Sequence, residues 1–262
     1  MTTKCIQKLD GNNLFFYSDR FGVVHNIPYT ALLDIDSIYC IRVCSIQSNW
    51  NDILKIITPI IISQLYLWIY YESHCPDSKS FILKQLIPAF HLLHEHLSLS
   101  FIPFGKSRSI NNGNEGFECQ HGSAECLGNM VQDCSLQLMY SQSDKKKLAY
   151  VSCEMQTEAG SQGRFDCVEK SNLSTEHVER CVTSGEGTNL QLESEYYTSL
   201  INPKFVPTLT INGEFNQDIQ DYAQVDLIGT LCSMLIDSRP CGRYYNNIAL
   251  NKLMNMSPKN TN

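Results

Sequence analysis

The chain has 262 residues, a net charge of −7 and a pI near 5.5. That length suffices for one domain with a sizeable core, or one domain with an appendage. An acidic balance without basic runs excludes nucleic acid and anionic membranes as principal partners. The one cationic cluster, Lys145-Lys146-Lys147, reads as a solvated loop.

Residues 1–49 lack a basic segment followed by an apolar core and a small-residue cleavage site. Residues 1–61 are therefore expected to be an N-terminal extension of unknown role, or the product of an incorrect gene start. The apolar run from Ile53 to Tyr71 carries Lys55, Pro59, Ser63 and Gln64 and ends four residues before Cys75. Its second half reads as a core strand rather than a membrane span.

Gln64 to Glu72 is rich in aromatic and β-branched residues, the composition of a buried strand. Cys75-Pro76-Asp77-Ser78 then opens a helix, with proline suited to the first turn and aspartate to the positive end of the dipole. Ile82, Leu86, Phe90, Leu93 and Leu97 recur at helical spacing, and Pro88 is expected to kink that helix. Leu97 to Phe104 reads as a second strand, so the three elements make a right-handed parallel βαβ unit. Gly105 to Gly116 is a polar loop, and Cys119 to about Glu186 is mostly helical, with Ser174 an N-cap. Phe205 to Ile211 and Glu214 to Asn216 flank Asn212-Gly213 and predict a two-residue hairpin. Val225 to Ile236 reads as a last amphipathic helix carrying Cys232, and the chain beyond Cys241 as a polar, frayed tail.

Twelve cysteines are many for a cytosolic protein, and eight of them lie between Cys119 and Cys241. They suggest four disulfides formed in an oxidising compartment, although eight cysteines allow 105 pairings and the sequence selects none. Zinc is disfavoured, because no C-x-x-C pair is present and Cys119, Cys126 and Cys134 are too widely spaced for a knuckle. His91, His94 and His96 lack an H-E-x-x-H arrangement and read as a polar helix face. No metal and no cofactor is expected. The sequons Asn172-Leu173-Ser174 and Asn255-Met256-Ser257 fit a glycosylated, lumenal protein.

The segment Cys119-Gln120-His121-Gly122-Ser123-Ala124-Glu125-Cys126-Leu127-Gly128-Asn129-Met130-Val131-Gln132-Asp133-Cys134 carries more chemistry than any other. It resembles the signature C-Q-H-G-x-x-E-C-x-x-N-x-x-x-x-C of the gamma-interferon-inducible lysosomal thiol reductase (GILT) family. Tyr70-Tyr71-Glu72-Ser73-His74-Cys75-Pro76-Asp77-Ser78 is similar to that family's active-site segment, with Ser78 in place of the second cysteine. The likeness extends over about Leu65 to Arg243, through Phe104-Gly105-Lys106, Phe117-Glu118, Phe205-Val206-Pro207, Asn212-Gly213 and the closing Cys232 and Cys241. It implies an α/β, thioredoxin-like fold with a disulfide-rich, mainly helical insertion. The domain is expected over residues 62–245, followed by a tail over 246–262.

Disulfide exchange requires a thiolate, and a helix N-terminus favours one through free N–H groups and a partial positive charge. The resemblance makes Cys75 the reactive thiol and Pro207 a cis-proline that holds a substrate strand across it. Ser78 cannot resolve a mixed disulfide, because a hydroxyl is not a thiolate at any relevant pH. It remains a helix-initiating residue or a hydrogen-bond partner for the sulfur. Glu72 reads as a partly solvated carboxylate at the strand end, His74 as a solvent-facing histidine, and His121, Glu125 and Asn129 as organisers of the insertion.

The expected function is reduction of protein disulfides through Cys75, with a small-molecule or protein thiol as reductant, in a secreted or endosomal/lysosomal setting. The alternative is a protein of the same fold that traps peptides covalently or binds them silently.

Overall fold

The computed structural model describes residues 14–18, 24–28, 64–235 and 238–256. Its contacts divide the chain into Met1–Ser63 and Gln64–Asn262. In the first unit β1 (Leu14–Ser18) and β2 (Val24–Pro28) form an antiparallel ladder, Leu14 opposite Pro28 and Ser18 opposite Val24. Cys5, Cys40, Cys44, the start of the apolar run at Ile53 and Ser257 of the second sequon lie outside the described residues.

The second unit is built on β3 (Leu65–Tyr71), whose Leu65, Leu67, Ile69 and Tyr71 are all buried. The chain then forms α1 (Pro76–Phe81), a π turn over Ile82–Leu86 and α2 (Ile87–Leu93). Pro88 is expected to kink this helix, and the disturbance lies in the turn just before it. There the Ile87 N–H bonds to Ile82 O, five residues back. Ile82, Leu86, Phe90 and Leu93 face the core as their spacing predicts. Next, β4 (Leu97–Pro103) pairs parallel to β3, Leu65 opposite Leu97 and Tyr71 opposite Pro103, completing the βαβ unit.

A short ladder of β5 (Arg108–Ser109) and β6 (Phe117–Glu118) interrupts the loop expected after β4 and leads into the helical insertion. The insertion comprises α3 (Ser123–Leu138), α4 (Asp144–Thr157), α5 (Asp166–Lys170), α6 (Thr175–Thr183) and α7 (Gly185–Ile201). Ser174 caps α6, its Oγ accepting from His177 N. The lysine cluster is on the first turn of α4 rather than in a loop. Leu148, Val151 and Met155 anchor that helix in the core, while Lys145 and Lys146 stay exposed. Among the described residues four disulfides staple the fold: Cys119–Cys126, Cys134–Cys181, Cys153–Cys167 and Cys232–Cys241.

The chain returns as β7 (Thr208–Ile211), antiparallel to β3 on the side away from β4, so the sheet order is β4-β3-β7. Asn212 and Gly213 take the positive φ angles, 55° and 83°, that a two-residue hairpin turn requires. The second strand of the expected hairpin is reduced to a single bridge between Ile211 and Glu214. Asn216 ends it, since its Oδ1 accepts from Ile219 N and starts α8 (Gln217–Val225). The single helix expected over Val225 to Ile236 is likewise broken at Asp226. That residue closes α8 and caps α9 (Leu227–Met234) by accepting from Gly229 N. Beyond it the chain is helical over α10 (Arg239–Met256), where a frayed tail is expected from the polar sequence; Cys232–Cys241 ties this helix to α9.

The result is an α/β, thioredoxin-like fold: a parallel βαβ unit, a third strand antiparallel to the first, and closing helices. Its disulfide-rich helical insertion lies between β4 and β7. Among the described residues no helix is long and apolar enough to cross a membrane.

Candidate active site

The site begins where β3 ends. Cys75 has extended dihedrals and caps α1, its Sγ accepting from the N–H of Ser78 at 3.5 Å. Pro76 supplies the fixed φ of the first turn and Asp77 the negative charge suited to it. Among the described residues Cys75 is the one cysteine outside a disulfide, and it is 5% exposed. Its sulfur approaches the carbonyl of Val206 at 4.0 Å, and the next peptide bond, Val206–Pro207, is cis. The fold thus brings Cys75, Ser78 and Pro207 together, although 132 residues separate the first from the last (207 minus 75).

Ser78 is fully buried, and its hydroxyl accepts from the Glu72 N–H at 3.4 Å. Of the two roles the sequence leaves open for Ser78, the contact with sulfur is made by its backbone, while the side chain closes the active-site turn.

The Pro207 segment is clamped from α8 in a way the sequence does not announce. Gln220 donates to Pro207 O at 3.1 Å and accepts from Leu209 N at 2.7 Å; Gln224 donates to the same carbonyl at 3.2 Å. Beside it runs an open groove of about 420 Å³ lined by Asp77, Phe81, Lys84, Phe205, Val206 and Pro207, among others.

His74 turns toward Glu158, its Nε2 lying 3.4 Å from Oε2, and Lys79 donates to the other oxygen of that carboxylate at 3.0 Å. The histidine is therefore engaged with an acidic partner on the insertion rather than facing solvent alone.

Glu72 departs furthest from the reading of a solvated carboxylate, being 0% exposed. Its Oε1 accepts from the Lys106 N–H at 2.7 Å, and Gly105 makes the approach feasible. At φ +59° a Cβ on residue 105 would stand 2.7 Å from Oε1. Burial is the main reason the Glu72 carboxyl is raised above the usual carboxylate range; the neighbouring charge of Glu125 acts in the same direction, against the Lys106 hydrogen bond and His121.

The signature segment meets the active-site turn directly. Asn129 Oδ1 accepts from Ser73 N at 2.9 Å, and Ser73 Oγ donates to Glu125 O at 3.0 Å. Glu125 is itself buried and accepts from His121 N at 3.1 Å through Oε1, while its Oε2 lies 2.6 Å from His121 Nδ1. His121, Glu125 and Asn129 therefore join the insertion to the residues just before Cys75. The sequence marks these residues by their spacing, but only the fold shows where they point.

Residues 66–183 match the family model described as gamma interferon inducible lysosomal thiol reductase (GILT). The gamma-interferon-inducible lysosomal thiol reductase of Carassius auratus is 31% identical over 242 residues, covering 85% of this chain and 95% of that protein. GILT-like protein 1 of Drosophila melanogaster is 31% identical over 188 residues, covering 66% of this chain and 75% of its own. Among solved structures, oxidised BdbD from Bacillus subtilis superposes with a TM-score of 0.46 at 10% identity, covering 66% of this chain and 88% of that one. The fold rests on the order of elements described above, and the relationship on the two sequence relatives. The chain belongs to the gamma-interferon-inducible lysosomal thiol reductase family.

Proposed function

We propose that the protein is a thiol–disulfide reductase acting on protein disulfides through one cysteine, Cys75, of a Cys-Pro-Asp-Ser segment, with residues 62–245 as the working domain. The observation that supports this reading is the setting of Cys75. Its unpaired sulfur caps α1, receives the Ser78 N–H and stands against the Val206 carbonyl at the edge of an open groove.

In the proposed cycle the Cys75 thiolate attacks one sulfur of a substrate disulfide. The S–S bond breaks and the other substrate sulfur leaves as a thiolate. Ser78 offers no second thiol, so a small-molecule or protein thiolate attacks the Cys75 sulfur of the mixed disulfide and releases the substrate's remaining thiol. A second equivalent of that thiol frees Cys75, and the external reductant ends as its own disulfide. Four structural disulfides, and a sequon at the exposed Asn172, support a secreted or endosomal/lysosomal setting.

The test is reduction of a denatured disulfide-bonded protein by the full chain, with excess small thiol, at acid and neutral pH. Turnover above the thiol background is expected, falling to that background in Cys75→Ser. Equal rates in the two proteins would overturn the proposal. The same buried serine favours a second reading, a covalent trap, in which reducible adducts through Cys75 accumulate without turnover.

A further inference from the structure

Two buried carboxylates converge on one imidazole beneath the active-site turn. Glu72 and Glu125 come from different elements, yet each is held in the same way. Their Oε1 atoms accept from backbone N–H groups, those of Lys106 and His121, and their Oε2 atoms face His121 Nδ1. The nearer, Glu125 Oε2, is 2.6 Å away and takes the one proton that Nδ1 can donate. Glu72 Oε2, at 3.4 Å, has no hydrogen-bond donor although its side chain is 0% exposed. A buried carboxylate oxygen without a donor is costly, so this group is short of one positive charge.

We infer that Glu72, His121 and Glu125 form a binding site for a divalent transition cation of the zinc class. The donor set, two carboxylate oxygens and one imidazole nitrogen, suits such an ion and leaves a position open. The ligand atoms lie within 4.8 Å of one another. Two ligands held about 2.1 Å from a tetrahedral ion stand about 3.4 Å apart. That matches the 3.4 Å between Glu72 Oε2 and His121 Nδ1. An ion replacing the shared proton opens the shorter His121–Glu125 contact toward the same value. Entry is from the histidine side, since the His121 side chain is 31% exposed while both carboxylates are closed off. The site joins α3 to the residue whose N–H and carbonyl meet Ser78 Oγ and Cys75 N. It stands whether or not Cys75 turns over.

The test is calorimetric titration of the full chain with Zn2+ at pH 7. Cys75→Ser is used as the parent and any other free thiol is capped with iodoacetamide, so that no thiolate takes the metal. One equivalent is expected to bind, weakened at least tenfold in Glu72→Gln and in His121→Gln and kept in His94→Gln. A second readout is a Zn2+-dependent rise in the thermal midpoint of the parent that both site variants lose. No saturable binding would overturn the inference, as would site variants that bind as tightly as the parent or a loss confined to His94→Gln. Glu72→Gln is nearly isosteric; should it fail to fold, His121→Gln at the more exposed position decides alone.

Discussion

Ser78 is bound twice within the turn it closes: its N–H donates to Cys75 Sγ at 3.5 Å and its hydroxyl accepts from Glu72 N at 3.4 Å. The backbone of position 78 therefore lies beside the Cys75 sulfur. Ser78→Cys changes little volume, although the position is fully buried. Under oxidising conditions the variant is expected to form a disulfide with Cys75, seen as two fewer free thiols than in the reduced variant. With limiting small thiol its turnover should exceed that of the parent, because resolution becomes intramolecular. A variant that keeps both thiols free under oxidation would show that the turn holds the sulfurs apart. Cys75, Ser78 and Pro207 stand out in the sequence through the resemblance of their two segments to those of the family, not through a pattern that would place them side by side. The burial of Glu72 was not legible there. The groups that bury it come from Gly105-Lys106 and from α3, and no pattern around Tyr70-Tyr71-Glu72 reports them.

The elements show the same division. Aromatic and β-branched composition marked β3, and periodicity marked β4 and the α1–α2 rod, since one buried face is written into alternate or fourth residues. The Asn212-Gly213 turn was equally plain, but the short segment after it went to a helix cap at Asn216 rather than to a strand. Gln220 and Gln224 carry no signal in the sequence, and only the fold places the Pro207 carbonyl against them. Disulfide pairing lay beyond reach for a similar reason, being set by which helices pack. The pairing now orders the bridges by the loops they close. Cys134–Cys181 spans 47 residues, Cys153–Cys167 14, Cys232–Cys241 9 and Cys119–Cys126 7. Chain entropy then assigns about 4 kcal/mol to the first and about 2.4 kcal/mol to the last. Urea unfolding of paired Cys→Ala variants should show Cys134→Ala with Cys181→Ala losing the most stability and Cys119→Ala with Cys126→Ala the least. The reverse order would mean that native packing around the bridges, not loop closure, sets their contribution.

At the scale of the whole molecule, Asp133 ties the insertion to the sheet and makes stability depend on pH. From α3, its Oδ2 accepts from Gln191 Nε2 at 2.6 Å and from Ser194 Oγ at 2.8 Å, both on α7. Gln191 Nε2 also donates to Pro103 O at the end of β4. Burial raises the Asp133 carboxyl to about 8, against the pull of the Ser194 and Gln191 hydrogen bonds and with help from the charge of Glu193. In the unfolded chain the same carboxyl titrates near its ordinary value, about 3.9. Between those two values the folded protein holds a proton that the unfolded chain has released. The stability this represents is complete below about pH 4, declines as pH rises, and is gone once pH passes about 8. Asp133→Asn keeps an uncharged group at every pH, so its urea midpoint should fall less between pH 5 and pH 8 than that of the parent. Comparing the two proteins removes the contribution of Glu72 and Glu154, whose carboxyls burial also raises. Parallel curves would show that Asp133 ionises without cost when folded. A smaller fall in the variant would identify one buried carboxyl whose retained proton favours the fold at acid pH.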